Sequence, residues 1–518
     1  IETDADIIKL IVLDGNDFEM INILRHSCLN LLMDPTKPEG EFNKFIKTQD
    51  DAIEFLQLNI KYMFRYFTES DDELRKKQMR MHILKILDKD FLPHMGSNLY
   101  DKAIFLGHIV HRLLRVILGR DDPDDRDSYL NKRIDLPGVL IGQLFTHFYK
   151  KMLTDTGNFF QKKNNDNENP TNVISQIKPT TIEQGIKSAL TTGVWGPNKN
   201  KKGVAQALQR ESYMQTISYF RRIITPTTDA STSKLTSIRH IQNTQAFFIC
   251  PVETPEGNKI GLLKTLALSA LVSQNMKHQR PVLETICSKY CKRLQETPLI
   301  NLLNNTKVFI NGTWYGLTVT PLDLIAEIKD KKFKLILDKS ISCNFNLLKN
   351  EIRVYCDGGR IYRPILRVNS DENTLYLTKE MLKSINLNKN KEELKMVNTW
   401  DDFLQKYPGV IDHIDIEESE TLMLAMYPKY LISNREKMNT QIKNVNKIIV
   451  NRYENSYVRY THCEMHPQLL LGLTSSNIPF AEHNQAPRNI YNFSQRRQAA
   501  GIYASNYRHR LDISYILY

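Results

Sequence analysis

Cys250-Pro-Val-Glu-Thr-Pro-Glu-Gly257, followed by Lys259-Ile-Gly-Leu-Leu-Lys264, is the most informative segment of this chain. Two prolines, two glutamates and a glycine within eight residues exclude a regular helix or a central strand, because proline fixes φ and has no N–H to donate. The apolar residues 246–249 precede the segment, and residues 262–271 follow it with helix-like apolar spacing. The pattern predicts a rigid, charged loop between two buried elements, where functional residues are often found. The alternative is a tight buried turn whose glutamates accept hydrogen bonds from backbone N–H groups.

A second polar segment lies far downstream, at Phe480-Ala-Glu-His-Asn-Gln-Ala-Pro-Arg-Asn489, with Gln495-Arg-Arg-Gln-Ala-Ala-Gly501 just after it. Together the two segments resemble the second-largest (β-type) subunit of multisubunit DNA-directed RNA polymerases, in the nuclear or large-DNA-virus type. A chance resemblance is negligible, because further motifs match in order along nearly the whole chain: Phe91-Leu-Pro-His94, Asp124-Asp-Arg-Asp127, Asn131-Lys-Arg133, Gly203-Val-Ala-Gln206, Arg221-Arg222, Asn311-Gly-Thr-Trp314, Asp357-Gly-Gly-Arg360, Tyr362-Arg-Pro364 and Thr461-His-Cys-Glu-Met-His-Pro467.

The resemblance implies an α+β, multidomain fold with a helical lobe and protrusion part, a mixed fork, β-rich external domains and the start of the hybrid-binding domain. We expect a fragment truncated at both ends, because the N-terminus has no initiator methionine and the family continues past Tyr518. The expected boundaries are 1–130 for the lobe, 131–190 for the second part of the protrusion, 191–272 for the fork, 273–370 for the first external domain, 371–450 for the second, and 451–518 for the truncated hybrid-binding domain.

Length and composition limit the class of protein. A chain of 518 residues is too long for one core and indicates roughly three to five domains. The net charge of +12 favours a polyanionic partner. No run of about 18 apolar residues occurs, so the sequence predicts no membrane span. Seven cysteines scattered singly indicate reduced thiols of an intracellular protein rather than a disulfide framework.

Local patterns also predict individual elements. Residues 307–310 and 314–317 flank Asn311-Gly312, which is typical of a β-hairpin. Residues 352–355 and 361–366 flank Asp357-Gly-Gly-Arg360 and predict a second hairpin. Residues 204–220 are expected to be helical with a break or bend near the middle.

Arg488 is the main candidate for contact with substrate. It follows Pro487, and three amide side chains are close to it in sequence, those of Asn484, Gln485 and Asn489. A guanidinium is permanently charged and can donate to two phosphate oxygens at once, which suits a triphosphate. The resemblance implies that Arg488 contacts the phosphates of the incoming nucleotide. A salt bridge to Glu482 or to a partner subunit is the alternative.

Arg497 and Gln498 are further candidates at the catalytic centre. Their context predicts the start of a helix that faces the same region as Arg488. The family commonly has lysine where this chain has Arg497, so the charge is kept while the hydrogen-bond geometry differs.

Basic residues near two polar loops are candidate contacts to nucleic acid. The loop at 196–203 is flanked by glycines and contains Lys199, Lys201 and Lys202. The loop at 225–237 corresponds by resemblance to a fork loop, and the arginines near it are candidates for template and downstream DNA contact: Arg221, Arg222 and Arg239. The alternative for the first two is that they complement a helix C-terminus. The family often has histidine where Gln242 stands, which leaves no protonatable partner there.

Glu253 and Glu256 are expected to brace the fork rather than bind metal. The cluster His462-Cys-Glu-Met-His466 concentrates four potential ligands in five residues, and alternate residues of a strand would share one face. The resemblance favours a packed structural segment there, so we assign no metal ligand. Cys287 and Cys291 have no second pair to complete a zinc site.

The resemblance implies template-directed RNA synthesis from ribonucleoside triphosphates, in an active centre shared with the largest subunit. Mg²⁺ would serve the assembled enzyme through ligands mainly from that subunit, with none bound by this chain alone. The implied partners are the largest and smaller polymerase subunits, DNA template, RNA–DNA hybrid and nucleotides, with no membrane. The implied location is intracellular, in the nucleus, or in a viral factory or virion if the protein is viral. The alternative is a non-catalytic nucleic-acid-binding or assembly fragment, from a split or truncated paralogue.

Overall fold

The computed structural model describes residues 4–30, 48–59, 72–165, 174, 177–196, 201–210, 212–225, 236–299, 301–384, 399–443 and 458–495. These residues form both helices and open sheets, in agreement with the expected α+β class. The chain divides into two compact units. The first comprises Ile1–Asp125, His278–Lys329 and Ile341–Cys356, and the second comprises Arg126–Lys277, Asp330–Ser340 and Asp357–Tyr518.

Helices occur in both units. None of those in the described ranges combines the length and apolar character needed to cross a bilayer. In chain order they are α1 Asp4–Ile11, α2 Phe18–Asn30, α3 Gln49–Asn59, α4 Asp72–Lys85, α5 Leu99–Ile117, α6 Pro137–Asn165, α7 Thr180–Thr192, α8 Tyr213–Phe220, α9 Arg280–Tyr290, α10 Asn301–Asn304, α11 Pro321–Phe333, α12 Lys379–Ser384, α13 Trp400–Lys406, α14 Ile416–Glu420, α15 Pro428–Lys443 and α16 at 486–495.

Strands are short apart from one. In chain order they are β1 Arg222–Ile224, β2 Leu263–Thr265, β3 Leu271–Val272, β4 Cys291–Arg293, β5 Thr306–Ile310, β6 Thr313–Thr318, β7 Ser342–Asn346, β8 Glu351–Tyr355, β9 Ile361–Asn369, β10 Thr374–Leu375, β11 Ile411–Asp415, β12 Leu424–Ala425 and β13 His462–Cys463.

The first unit is built around a five-stranded sheet with the order β4-β6-β5-β8-β7. β5 and β6 form the first hairpin that the sequence predicts, with Ile310 opposite Thr313. Asn311 and Gly312 have φ values of 50° and 81°, the left-handed conformation that a two-residue hairpin turn requires. The prediction is therefore confirmed, and its cause is local turn chemistry.

A buried lysine stabilises the helical part of the first unit. The Nζ of Lys102 donates hydrogen bonds to the backbone carbonyls of Leu87, Asp88 and Phe91, at 2.7, 2.6 and 2.8 Å. Those carbonyls lie in and after the π-helical segment Ile86–Asp90. Burial of an ammonium is costly unless such acceptors surround it, so this lysine ties α5 to the preceding segment.

The second unit is organised by β9, which pairs antiparallel with β3, β10, β11 and β13. The second hairpin predicted from the sequence is wrong. Both of its strands exist, within β8 and β9, but β8 pairs with β5 and β7 in the sheet of the first unit. The connection Asp357-Gly-Gly-Arg360 bonds instead to Ser273, whose N–H donates to the Arg360 carbonyl and whose carbonyl accepts from Gly359.

The helix expected at 262–271 is also absent. β2 pairs with β1, and Leu266 bridges Ile249. A turn follows, in which Ala270 N–H donates to the Ala267 carbonyl at 3.1 Å. Buried residues of β2 and of the following turn pack into the same core. Because they come from two consecutive elements, their spacing along the chain resembles that of one face of a helix.

Residues 204–220 are helical only at α8. Ser212 is the N-cap of α8, and its side chain accepts a hydrogen bond from the Gln215 N–H, a strong local signal for a helix start. The described residues between 204 and 210 have no regular secondary structure. The predicted helix is therefore correct in its second half and wrong in its first.

A buried ion pair crosses the sheet of the second unit. Arg363 on β9 donates to both carboxylate oxygens of Glu464, at 2.7 and 2.6 Å, and each side chain is 1% exposed. The guanidinium also lies over the rings of Phe247 and Phe248, at 4.8 and 5.3 Å from their centroids. Glu464 thus serves as a structural partner of arginine, a role compatible with the packed segment expected there.

Candidate phosphate and nucleic-acid site

Arg488 lies in the first turn of α16 rather than in a free turn. The carbonyl of Gln485 accepts from the N–H groups of Arg488 and Asn489, at 2.9 and 3.3 Å, so the helix begins just after Gln485. Pro487 is compatible with this position because the first turn of a helix needs no internal N–H donor. The Arg488 side chain is exposed. The sequence Gln-Ala-Pro-Arg therefore directs a guanidinium to a helix N-terminus.

The charge of Arg488 is unusual for its position. The N-terminus of a helix carries partial positive charge and favours acidic residues. No carboxylate within the described ranges forms an ion pair with Arg488, and Glu482 lies 3.8 Å from His483 instead. The guanidinium carbon is 5.6 Å from the centroid of the Tyr491 ring. An anion at this end of the helix would be favoured by both the guanidinium and the partial positive charge of the helix N-terminus.

Asn489 fixes the geometry of this helix start. Its side chain is buried, donates to the Ala481 carbonyl at 2.8 Å and accepts from the Asn484 amide at 3.1 Å. These bonds hold the 3-10 turn Ala481–His483 against the helix that carries Arg488. The other two predicted catalytic residues, Arg497 and Gln498, lie outside the described residues.

Glu253 is buried and joins the segment at residues 250–257 to the segment after β13. One of its carboxylate oxygens accepts from the backbone N–H groups of Thr474 and Ser475, both at 2.9 Å. A side chain at Gly472 would collide with this carboxylate, since a Cβ there would lie 2.4 Å from the oxygen. The carboxylate of Glu253 therefore links two segments that are far apart in the chain. Glu256, by contrast, is exposed and makes no cap hydrogen bond to the short helix that it precedes.

The three arginines predicted to contact nucleic acid differ in environment. Arg221 ends α8, and its guanidinium donates to the carbonyls of Ala267, Leu268 and Ala270. Arg222 lies over the Tyr219 ring, 4.0 Å from its centroid. Arg239 donates to the carbonyls of Asn258 and Ile260, at 2.8 and 2.9 Å. Arg221 and Arg239 therefore donate hydrogen bonds that stabilise the backbone of loops, while Arg222 stacks on an aromatic ring.

The glycine-flanked basic loop has a rigid base. Trp195 and Lys201 form an antiparallel bridge, and the buried indole of Trp195 donates to the Leu140 carbonyl at 3.0 Å. The Nζ of Lys201 lies 3.5 Å from a carboxylate oxygen of Asp135. Lys202 is exposed, and Lys199 lies outside the described residues.

Two lysines that the sequence did not single out meet over one aromatic ring. Lys132 and Lys264 place their Nζ atoms 5.4 and 5.2 Å from the centroid of the Tyr129 ring. They belong to the motifs Asn131-Lys-Arg133 and Lys259-Ile-Gly-Leu-Leu-Lys264, respectively. Each motif lies in a segment that resembles the polymerase family, and this is the only sign in the sequence that the lysines matter. The spacing of the motifs along the chain does not indicate that they are close together in space.

Metal-ligand clusters are not found in the described parts of the chain, where no three His, Cys, Asp or Glu side chains converge suitably. Within the His462–His466 cluster, His462 lies 3.5 Å from Asp412 and Glu464 binds Arg363.

Burial raises the pKa of the Cys250 thiol to about 11. That thiol stays protonated at neutral pH and accepts from the Glu253 N–H at 3.4 Å.

Five family models match consecutive parts of the chain, and all are described as RNA polymerase Rpb2. They are domain 2 at residues 2–135, domain 3 at 206–272, domain 4 at 308–369, domain 5 at 400–467 and domain 6 at 474–518. Arg488, the segment at residues 250–257 and the buried ion pair all fall within matched regions.

Individual relatives agree with the family models. The DNA-directed RNA polymerase subunit 2 of Acanthamoeba polyphaga mimivirus is 39% identical over 100% of this chain and 43% of the viral protein. The DNA-directed RNA polymerase II subunit RPB2 of Encephalitozoon cuniculi is 38% identical over 84% of this chain and 36% of its own length. The DNA-directed RNA polymerase subunit Rpo2 of the archaeon Saccharolobus solfataricus is 29% identical over 92% of this chain and 39% of its own length. The chain spans less than half the length of these relatives, and it belongs to the family of second-largest subunits of DNA-directed RNA polymerases.

Proposed function

We propose that this chain forms part of the active centre of a DNA-directed RNA polymerase, a nucleotidyltransferase that is active only in the assembled complex. The observation that carries the proposal is Arg488, an exposed guanidinium at a helix N-terminus with its backbone locked by buried Asn489. In the family context, the anion suited to this position is the triphosphate of an incoming ribonucleotide. Arg497 and Gln498 are proposed to act beside it.

The proposed reaction is attack of the RNA 3′-hydroxyl on the α-phosphate of the nucleotide. Mg²⁺, held mainly by the largest subunit, would stabilise the entering and leaving oxygens. The proposed contribution of this chain is placement of positive charge on the phosphates. A preorganised donor of this kind acts without reorganisation at the moment of reaction.

The proposed partners are the largest subunit, the smaller subunits, the DNA template and the RNA–DNA hybrid. Basic residues would bind phosphates, with Glu253 and Glu256 bracing the fork. The division into lobe, protrusion part, fork, external domains and hybrid-binding domain is proposed with the boundaries given above. The relatives come from nuclear, viral and archaeal polymerases, and we propose a nuclear location, or a viral factory or virion if the protein is viral.

The purified chain should incorporate no nucleotides by itself. The reason is that the proposed metal ligands belong mainly to another subunit. The measurement is Mg²⁺-dependent extension of a primed template by the chain alone and after assembly with a largest subunit. Robust synthesis by the chain alone would contradict the shared active centre. Inactivity of a fully assembled complex would favour the alternative, a non-catalytic nucleic-acid-binding or assembly module.

Alanine at Lys199, Lys201 and Lys202 together should weaken the salt dependence of DNA binding by the assembled polymerase. Removing one phosphate contact lowers the slope of log K against log salt by roughly 0.7 to 0.9. The slope should change similarly for templates of different sequence, because phosphate contacts carry no base information. Lys289→Ala is a matched control, since Lys289 is exposed but pairs with Glu327 at 3.1 Å. An unchanged slope in the triple variant would mean that the loop is exposed to solvent and makes no contact with phosphates.

A further inference from the structure

Lys132 and Lys264 form a pair of cations on one ring. Their Nζ atoms lie 5.4 and 5.2 Å from the centroid of Tyr129, distances at which an aromatic face attracts an ammonium. They come from a segment before α6 and from β2, which are far apart in sequence. Bringing two like charges together costs energy unless an anion or a carboxylate compensates them.

Carboxylates among the described residues compensate the positive charges of these two lysines only in part. Lys132 lies 3.5 Å from one carboxylate oxygen of Asp127. Lys264 is half-buried, donates to the Ile238 carbonyl at 3.4 Å and has no carboxylate within ion-pair distance in the described ranges. Two cations therefore share one nearby carboxylate, and the surplus positive charge sits partly out of water.

The platform beneath the two lysines is rigid. Tyr129 packs on the core formed around Phe248, Ile249 and Leu266, and its N–H donates to the Thr244 hydroxyl at 3.2 Å. The same segment is tied down by Ile134, whose N–H donates to the Gly359 carbonyl at 2.8 Å. A preorganised pair of donors costs little further ordering when a ligand binds.

We propose that Lys132 and Lys264 form a phosphate-binding site supported by Tyr129. The site recognises a phosphate group, supplied either by the backbone of the nucleic acid or by a nucleotide. This inference rests on the proposed polymerase function and adds a contact that none of the matched motifs indicates. The 3-10 helix Ser237–Arg239 lies beside the site through Ile238, next to the segment expected to contact DNA.

Electrostatics agree with this geometry. Burial, and then the charge of Lys132, lower the pKa of Lys264 to about 8, while Asp127 acts in the opposite direction. Charged groups on adjoining elements include Arg222 on β1, Arg239 after Ile238, and Arg133, which pairs with Asp357 at 2.8 Å. Tyr129 stays neutral, because burial raises its pKa to about 12. A bound phosphate would favour the protonated form of Lys264 and raise its pKa.

The test uses the assembled polymerase and a fluorescent primed DNA template. Lys264→Met and Lys132→Met should each lower the slope of log K against log salt by up to roughly 0.7 to 0.9, the value for one phosphate contact, if the phosphate belongs to nucleic acid. If it belongs to the nucleotide, both variants should instead raise KM for the nucleotide in single-addition kinetics and leave the DNA slope unchanged. Methionine keeps the packing volume of the lysine stem, and Lys289→Met is the matched control.

A pH series gives an independent readout. In the parental enzyme the affinity supplied by Lys264 is present below about pH 8 and declines as the pH rises through the pKa of Lys264. Lys264→Arg should abolish this decline, since arginine stays charged. Unchanged salt slope, KM and pH profile in both methionine variants would overturn the proposal. Such a result would leave the proposed function standing if Arg488→Ala still impaired incorporation.

Discussion

Replacing Arg488 with alanine should slow single-nucleotide incorporation by the assembled polymerase by roughly 10²- to 10³-fold, the scale for removing one preorganised charge donor. Arg488 is exposed, forms no ion pair among the described residues, and lies at the positive end of a helix with its guanidinium over the Tyr491 ring. Its removal should therefore weaken stabilisation of the triphosphate without disturbing the core. The measurement is single-nucleotide addition across a range of nucleotide concentrations.

Arg488→Lys should recover only part of the rate, because an ammonium cannot reproduce the two-pronged geometry of a guanidinium. Gel filtration should show normal assembly for both variants, and DNA binding should be near parental. Arg280→Ala is a matched control, since Arg280 pairs with Glu284 four residues along a helix in the first unit. If Arg488→Ala assembles and incorporates at the parental rate, Arg488 is structural and the main site assignment is wrong.

Replacing Glu464 with alanine should lower the local free energy of opening of the β9–β13 region by about 3–5 kcal/mol. The change leaves Arg363 charged and buried without its partner, in a place where each side chain of the pair is 1% exposed. Amide hydrogen exchange of β9 and β13 in the assembled polymerase measures this opening directly. Faster exchange should be confined to the second unit.

Asp330→Ala provides the control for this experiment. Asp330 and Lys334 form an ion pair at 2.6 Å, but both are more than half exposed, and surface pairs contribute about 0–1 kcal/mol. The double variant Arg363→Met, Glu464→Leu should restore much of the protection, because it removes both charges together. Parental exchange rates in Glu464→Ala would show that the pair contributes little and that the Phe247–Phe248 platform alone holds Arg363.

Local chemistry was readable from the sequence. The hairpin at Asn311-Gly312 follows from two residues that adopt positive φ. The second half of the helix expected over 204–220 also forms, as α8, with Ser212 as its N-cap. The family resemblance likewise followed from short ordered motifs, and it makes Arg488 the candidate contact to substrate. Each of these inferences depends on residues that are close together in the chain.

The pairing of strands that are far apart in the chain could not be predicted by the same reasoning. Residues 352–355 and 361–366 are strands, as predicted, yet they enter sheets of different units because the partner of a strand is chosen by packing over long sequence distances. Residues 262–271 have apolar spacing that fits a helix, but their backbone hydrogen bonds go to β1 and to Phe248 and Cys250. Periodicity reports which side chains are buried and leaves open which backbone groups pair.

The sequence by itself determined the family, the local turns and the identity of the charged residues in the motifs. Only the tertiary structure decided what each charge contacts. It directed the Arg221 guanidinium onto three backbone carbonyls, left Arg488 at a helix end without a carboxylate partner among the described residues, and brought Lys132 and Lys264 onto one ring. The physical reason is that an ion's partners are selected by distance in space and by burial, and neither quantity is encoded in the spacing of residues along the chain.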